Sequence, residues 1–274
     1  MARPRPPRDI QPLLDRFVEV CSSDERIVAA FLGGSRARGE ADAFSDVDLC
    51  VIATDEAFDE LVAQREHMVE QLGEPLFVES FSLPNIVFYI LDDGTEGEIF
   101  FGSEGRLEEL EPGPTIRTLF DPGGILEGVA FPGERTDPAG QHEVLRQTLA
   151  WFWHELSHFI AAIGRGELWW AAGQLEALRG HCVNLVRIEH GAFAGDEPYE
   201  KLDRTIDLAA LSPIAGTFVP IEREALWEAA AQILSFHRTR GPRVAAAHDE
   251  TYPIELAELM TRRFDEARGM RSGD

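Results

Sequence analysis

Positive charge is scarce in this chain. Lys and Arg number 25 against 49 Asp and Glu, a formal net charge of −24, and Lys201 is the sole lysine. A chain this acidic repels a nucleic-acid backbone unless its charge is sharply segregated. No Arg-rich stripe marks its C-terminal half, so nucleic acid is disfavoured as a partner. A cationic small molecule is compatible with the same charge. Cysteine is also sparse. Cys21, Cys50 and Cys182 are widely spaced and odd in number, which argues against a disulfide framework and for a reducing, cytoplasmic setting. No run of about 18 apolar residues occurs, so no membrane span is expected. The opening MARPRPPRDI is basic and Pro-rich but lacks the apolar segment of a signal peptide; it reads as a lead-in.

What the chain does have is enough apolar content, 44% over 274 residues, for a sizeable core or two modest ones. Its most informative stretch is FLGGSRARGEADAFSDVDLCVI, residues 31–52. A short apolar run reads as a buried strand and is stopped by Gly33-Gly34-Ser35. A polar loop follows, and then Asp46-Val47-Asp48-Leu49 alternates acid and apolar. A strand places residues i and i+2 on one face, so Asp46 and Asp48 point together while Val47 and Leu49 point into a core. Two carboxylates about 7 Å apart on one strand repel each other, and a shared divalent cation relieves that repulsion. Oxygen ligands suit Mg²⁺, which keeps waters and substrate phosphates in its shell. Backbone N–H groups of a Gly-rich turn can approach a phosphate closely. Asp-x-Asp alone is common in an acidic chain; the turn in front of it makes the pair a constellation.

The rest of the chain divides in two. Apolar spacing predicts a helix over 9–20, strands over 27–32 and 46–53, and a helix over 55–72. Strands are expected over 76–81, 86–91, 96–101 and 116–120, with Asp92-Asp93-Gly94 as a hairpin turn between the middle two. Residues 121–140 are rich in Gly and Pro and read as a linker. Beyond them helices are expected over 141–163, 167–190, 199–210, 222–240 and 252–269. The fold class is therefore α+β, with domains at 1–130 and 131–274.

Phosphoryl-transfer sites of this kind need a further acidic group to complete a metal shell or accept a proton. The return strand offers Glu96 and Glu98 on one face, and Glu98, next to the apolar run 99–101, is the better held. In the helical half, Trp151, Trp153, Trp169 and Trp170 either pack as helix core or line a drug-sized cleft between domains. His154 and His158 have i, i+4 spacing, which suits Zn²⁺, but no third ligand stands at a telling distance.

Gly34-Ser35, ten intervening residues and Asp46-Val47-Asp48-Leu49 resemble the signature of the nucleotidyltransferase superfamily that includes DNA polymerase β. Arg38-Gly39-Glu40 before the aspartates, and the hairpin Asp93-Gly94-Thr95 leading to Gly97-Glu98, are similar to the small antibiotic-modifying members. These are the two-domain lincosamide nucleotidyltransferases above all, and the aminoglycoside nucleotidyltransferases. The resemblance implies a catalytic domain, a mixed β-sheet flanked by helices, followed by a helical bundle that binds the acceptor. It implies that Gly34 and Ser35 hold the β- and γ-phosphates of a nucleoside triphosphate, taken as ATP, that Asp46 and Asp48 bind Mg²⁺, and that Glu98 is the third catalytic carboxylate, acting as metal ligand, general base or both. Arg36 and Arg38 either neutralise triphosphate charge or are exposed loop arginines. The implied reaction moves a nucleoside monophosphate to a hydroxyl of a small acceptor, an antibiotic in the nearest relatives, and releases pyrophosphate. Two alternatives stay open: nucleotidylation of a protein or RNA, and a silent regulatory or toxin–antitoxin-type module. The apolar content of the helical half also permits a homodimer.

Overall fold

The structure is a computed structural model that describes residues 6–110, 113, 115–129, 131, 138–192 and 197–270, the side chains of 138–141 excepted. The fold is α+β, as the alternation of patterns implies. The chain forms two compact units, Met1–Arg135 and Thr136–Asp274.

In the first unit, helix α1 (Gln11–Ser23) leads into β1 (Ile27–Leu32). The one-turn helix α2 (Gly34–Ala37) precedes β2 (Val47–Ala53). Next come α3 (Phe58–Ala63) and α4 (Arg65–Leu72). The strands β3 (Pro75–Glu79), β4 (Ile86–Leu91), β5 (Glu96–Ser103) and β6 (Arg117–Phe120) complete the unit. Among the described residues they form one six-stranded sheet in the order β3-β4-β5-β2-β1-β6. The β2–β5 pair is parallel and its neighbours are antiparallel, so the sheet is mixed.

Period-two alternation sorts the strand residues onto two faces. On one, Val47, Leu49, Val51, Val87, Tyr89, Ile99 and Phe101 pack with Leu14 and Phe17 of α1 and Met68, Val69 and Leu72 of α4. On the other, Phe31, Cys50 and Ile52 pack with Leu110, Leu126 and Phe131. Phe31 and Phe131 have ring centroids 5.4 Å apart. Each large apolar side chain buried this way contributes about 1.5–3 kcal/mol. The single helix expected over 55–72 is two, because Gln64 leaves helical geometry at φ −103°, ψ 12°.

The second unit is helical: α5 (Pro138–Arg165), α6 (Leu168–Glu189), α7 (Leu202–Thr205), α8 (Ser212–Ala215), α9 (Arg223–Ala247) and α10 (Ile254–Gly269). Phe152, Trp153, Phe159, Leu178, Trp227, Ile233 and Phe264 are among its core residues. The continuous helix expected over 199–210 is broken. Lys201 is left-handed at φ 51°, and the Asp207 side chain caps a new turn at the Ala209 N–H. The helix expected to end at 240 instead runs through Pro242 to Ala247. Burial of Val244 and Ala245 against Leu145, Leu149 and Leu185 offsets the missing backbone donor. No helix of the described residues is long and apolar enough to cross a membrane.

Candidate functional site

The site is assembled at one end of the two parallel strands. In the β2–β5 register Val47 stands opposite Gly97 and Asp48 opposite Glu98. The two carboxylates are thus adjacent on one face, the face that continues into Cys50 and Phe100. Glu96 lies before the start of this register and is exposed, so the structure sets Glu98, not Glu96, beside Asp48. Gly97 makes the approach possible. A Cβ there would lie 2.3 Å from the Val47 carbonyl oxygen and 2.8 Å from the Tyr89 hydroxyl.

The turn in front of β2 is shaped around Asp48. The Gly33 N–H donates to the Asp48 carbonyl oxygen at 2.8 Å. Gly34 has φ +58°, and a Cβ on it would fall 1.7 Å from Asp48 Oδ2. Both the dihedral and the space therefore require glycine. Ser35 follows in the first turn of α2. Its Oγ is buried and has no hydrogen-bond partner in the structure, an arrangement that costs about 1–3 kcal/mol unless a ligand supplies the partner.

Glu98 is the electrostatically perturbed member of the group. Burial first, then the Asp48 and Asp46 charges, push its pKa up to about 7. Arg36 is pulled below its ordinary pKa by burial, an effect that Asp46 and Asp48 oppose, yet its donors go to main-chain oxygens. Nε donates to the Asp46 carbonyl at 2.6 Å, one terminal nitrogen to Ser45 O at 2.8 Å and the other to Arg8 O at 3.2 Å. Arg38 pairs with Glu40 at 2.8 Å. Asp46 is exposed at the mouth of the strand. Beneath the sheet, Tyr89 is buried, its hydroxyl without a partner and its pKa raised by burial and by Asp48.

A cleft of about 460 Å³ opens over this face. Gly33, Gly34, Asp48 and Glu98 line one part; Phe31, Cys50, Phe100 and Leu110 form an apolar floor, with Glu109 at its edge. The sequence reading missed the floor. The i+2 continuation from Asp48 to Cys50 and from Glu98 to Phe100 was the available signal; nothing local marks Glu109 or Leu110. In the helical unit Trp153 is core, whereas Trp151, Trp169 and Trp170 are exposed. His154 and His158 meet edge to face with ring centroids 4.2 Å apart, flanked by Trp151 and Trp170.

Among the described residues no three His, Cys, Asp or Glu side chains converge as a preformed metal cage. Mg²⁺ does not need one, since one or two carboxylates plus substrate phosphates and waters complete its octahedron. An all-oxygen pair beside a Ser35 hydroxyl that lacks a hydrogen-bond partner fits that ion and a phosphate-bearing partner.

Comparison with known proteins places this site in a family context. Residues 14–86 match the sequence model of the nucleotidyltransferase domain. The match spans Gly34, Ser35, Asp46 and Asp48 and stops short of Glu98. No curated protein matches the chain. Among solved structures, an aminoglycoside 6-adenyltransferase from Bacillus subtilis aligns at 15% identity over 95% of this chain and 99% of its own, with a TM-score of 0.44. At that score the likeness carries no inference about reaction or acceptor.

Proposed function

We infer that this chain, whose N-terminal unit carries a nucleotidyltransferase domain, transfers a nucleoside monophosphate from a nucleoside triphosphate to a hydroxyl of a small acceptor. The observation that carries the reading is the register that sets Asp48 beside Glu98, under a glycine turn that admits no side chain at Gly34. Asp48 and Glu98, with Asp46 at the mouth, would hold Mg²⁺. When bound, that ion supplies charge stabilisation to the triphosphate oxygens.

The chain's own residues do the rest. Gly34 and Ser35 receive the β- and γ-phosphates, and the Ser35 hydroxyl gains a partner it otherwise lacks. Glu98, standing opposite Asp48, is the carboxylate placed to accept the proton. The acceptor hydroxyl oxygen forms the new bond to the α-phosphorus, the bond to pyrophosphate breaks, and the hydroxyl proton passes to Glu98. Positioning and fixed charge account for catalysis of this kind. The apolar floor of Phe31, Cys50, Phe100 and Leu110 excludes water from one side of the cleft. ATP is the proposed donor and a lincosamide or aminoglycoside antibiotic the proposed acceptor, both supported by the sequence resemblance. The helical unit, with Trp151, Trp169 and Trp170 exposed, is assigned acceptor recognition.

The test has two parts. Wild-type protein, Mg²⁺ and each nucleoside triphosphate are incubated with lincosamides, aminoglycosides and hydroxylated metabolites, and adducts heavier by one nucleoside monophosphate are sought by mass spectrometry. Asp48→Asn should then lower pyrophosphate release by more than about 100-fold, or ~2.7 kcal/mol, with an unchanged circular dichroism spectrum. Activity retained within about tenfold would remove Asp48 from the reaction.

A further inference from the structure

The sequence leaves Arg36 as either a triphosphate contact or an exposed loop arginine, and its contacts describe a third device. Three of its five N–H donors are directed at main-chain carbonyls. Two of these, Ser45 at 2.8 Å and Asp46 at 2.6 Å, belong to the segment that delivers Asp48 into β2. The third, Arg8 at 3.2 Å, belongs to the segment before α1. Arg8 in turn reaches the other carboxylate-bearing strand. Its guanidinium donates to the Thr95 hydroxyl at 3.0 Å and lies 3.3 Å from Asp93 Oδ1. Asp93 Oδ1 also accepts the Thr95 N–H at 2.7 Å, which closes the hairpin turn just before Glu98. Thr95 is buried, whereas Arg8 and Asp93 are about half exposed.

We propose that Arg36 and Arg8 form a staple that fixes the spacing of the two carboxylate-bearing strand starts, Arg36 holding the Ser45–Asp46 main chain and Arg8 linking it to the Asp93–Thr95 turn. Both are positioning residues: they act through the backbone that carries Asp48 and Glu98, not on substrate. The physical case rests on geometry. Three hydrogen bonds from one planar guanidinium to three carbonyls fix the direction of each peptide it touches. A half-exposed ion pair alone contributes little, so Arg8 is the weaker member. The segment before α1 thereby becomes part of the site without lining it. The inference rests on the proposed nucleotidyl-transfer reading only for its catalytic readout.

The staple is tested on the full chain with Arg36→Lys, Arg8→Ala and the double variant. Lysine keeps the charge but cannot fork across two carbonyls. A charge-only role toward triphosphate is therefore rescued by lysine, and a clamp is not. Mn²⁺ affinity is read by electron paramagnetic resonance and backbone mobility by amide hydrogen exchange. Arg36→Lys should weaken Mn²⁺ binding about tenfold and Arg8→Ala about threefold. Exchange should quicken at 43–48 and 95–98 and stay unchanged in the helical unit. In turnover, kcat should fall while KM for the nucleotide stays within about threefold. Wild-type exchange at both segments in Arg36→Lys and Arg8→Ala overturns the staple, as does a nucleotide KM raised about tenfold at unchanged kcat. If Arg36→Lys does not fold, Arg8→Ala decides alone. If the wild type transfers no nucleotide, the functional reading fails while exchange still judges the staple.

Discussion

Glu98 is the residue on which local chemistry turns. A carboxylate whose pKa rises from 4.5 to about 7 on folding binds its proton more tightly in the folded than in the unfolded chain. Between those values the folded state holds more protons, so this group's contribution to stability falls as pH rises through the window. Glu98→Gln removes the ionisation and leaves a neutral isostere. The variant should therefore match the wild type near pH 5 and exceed it at pH 8 by about 1–2 kcal/mol, after discounting for partial exposure. Urea denaturation of the ligand-free protein at both pH values measures the gap; an equal gap at pH 5 and pH 8 would falsify the assignment. On the proposed role of Glu98 as proton acceptor, the same variant should also be inactive. Sequence alternation placed Glu96 and Glu98 on one face, and the apolar run 99–101 favoured Glu98. The β2–β5 register adds its neighbour, with Glu98 opposite Asp48.

At the scale of elements, the parallel pairing of β2 with β5 is the device that makes the site. These strands are far apart in sequence, and their pairing sets two carboxylates side by side that repel each other. Burial of Val47, Leu49, Val51, Ile99 and Phe101 on the opposite face holds the pair together against that repulsion. Gly97 permits the close passage, so Gly97→Ala should shift the strand starts apart. We expect a loss of about 2 kcal/mol in the stability of the N-terminal unit, typical of overpacking, and a fall in pyrophosphate release larger than that loss of folded protein explains. Denaturation and turnover measured on the same sample separate the two. The glycine turn before β2 was legible in sequence because Gly-Gly-Ser has few other uses after a strand. The run of α9 through Gly241-Pro242 was not, since local propensity says stop and only the contacts of Val244 and Ala245 say continue.

At the scale of the whole molecule the two units respond oppositely to acid. His237 is fully buried, stacked on Phe152 at 3.7 Å, with neither ring nitrogen hydrogen-bonded. Burial holds its pKa well below 6.5, and His181 is lowered to about 4 for the same reason. Both stay neutral when folded, so their contribution is complete above the unfolded value near 6.5 and is lost as pH falls below it. All five tryptophans lie in the helical unit, and their fluorescence therefore reports that unit alone. Its thermal midpoint should drop between pH 7 and pH 5, and His237→Phe should flatten the decline; a pH-independent midpoint would contradict it. What the sequence by itself determined was the candidate site and the class of each half. The glycine turn, the Asp-x-Asp alternation and the change of period near residue 130 are local patterns, and local patterns survive without a fold. What only the tertiary structure decided was long-range. It set Glu98 opposite Asp48, floored the cleft with Phe31 and Phe100, and directed Arg36 at three main-chain carbonyls. Each of these depends on which strand lies beside which, a pairing set by burial summed over the whole sheet and therefore written in no single segment.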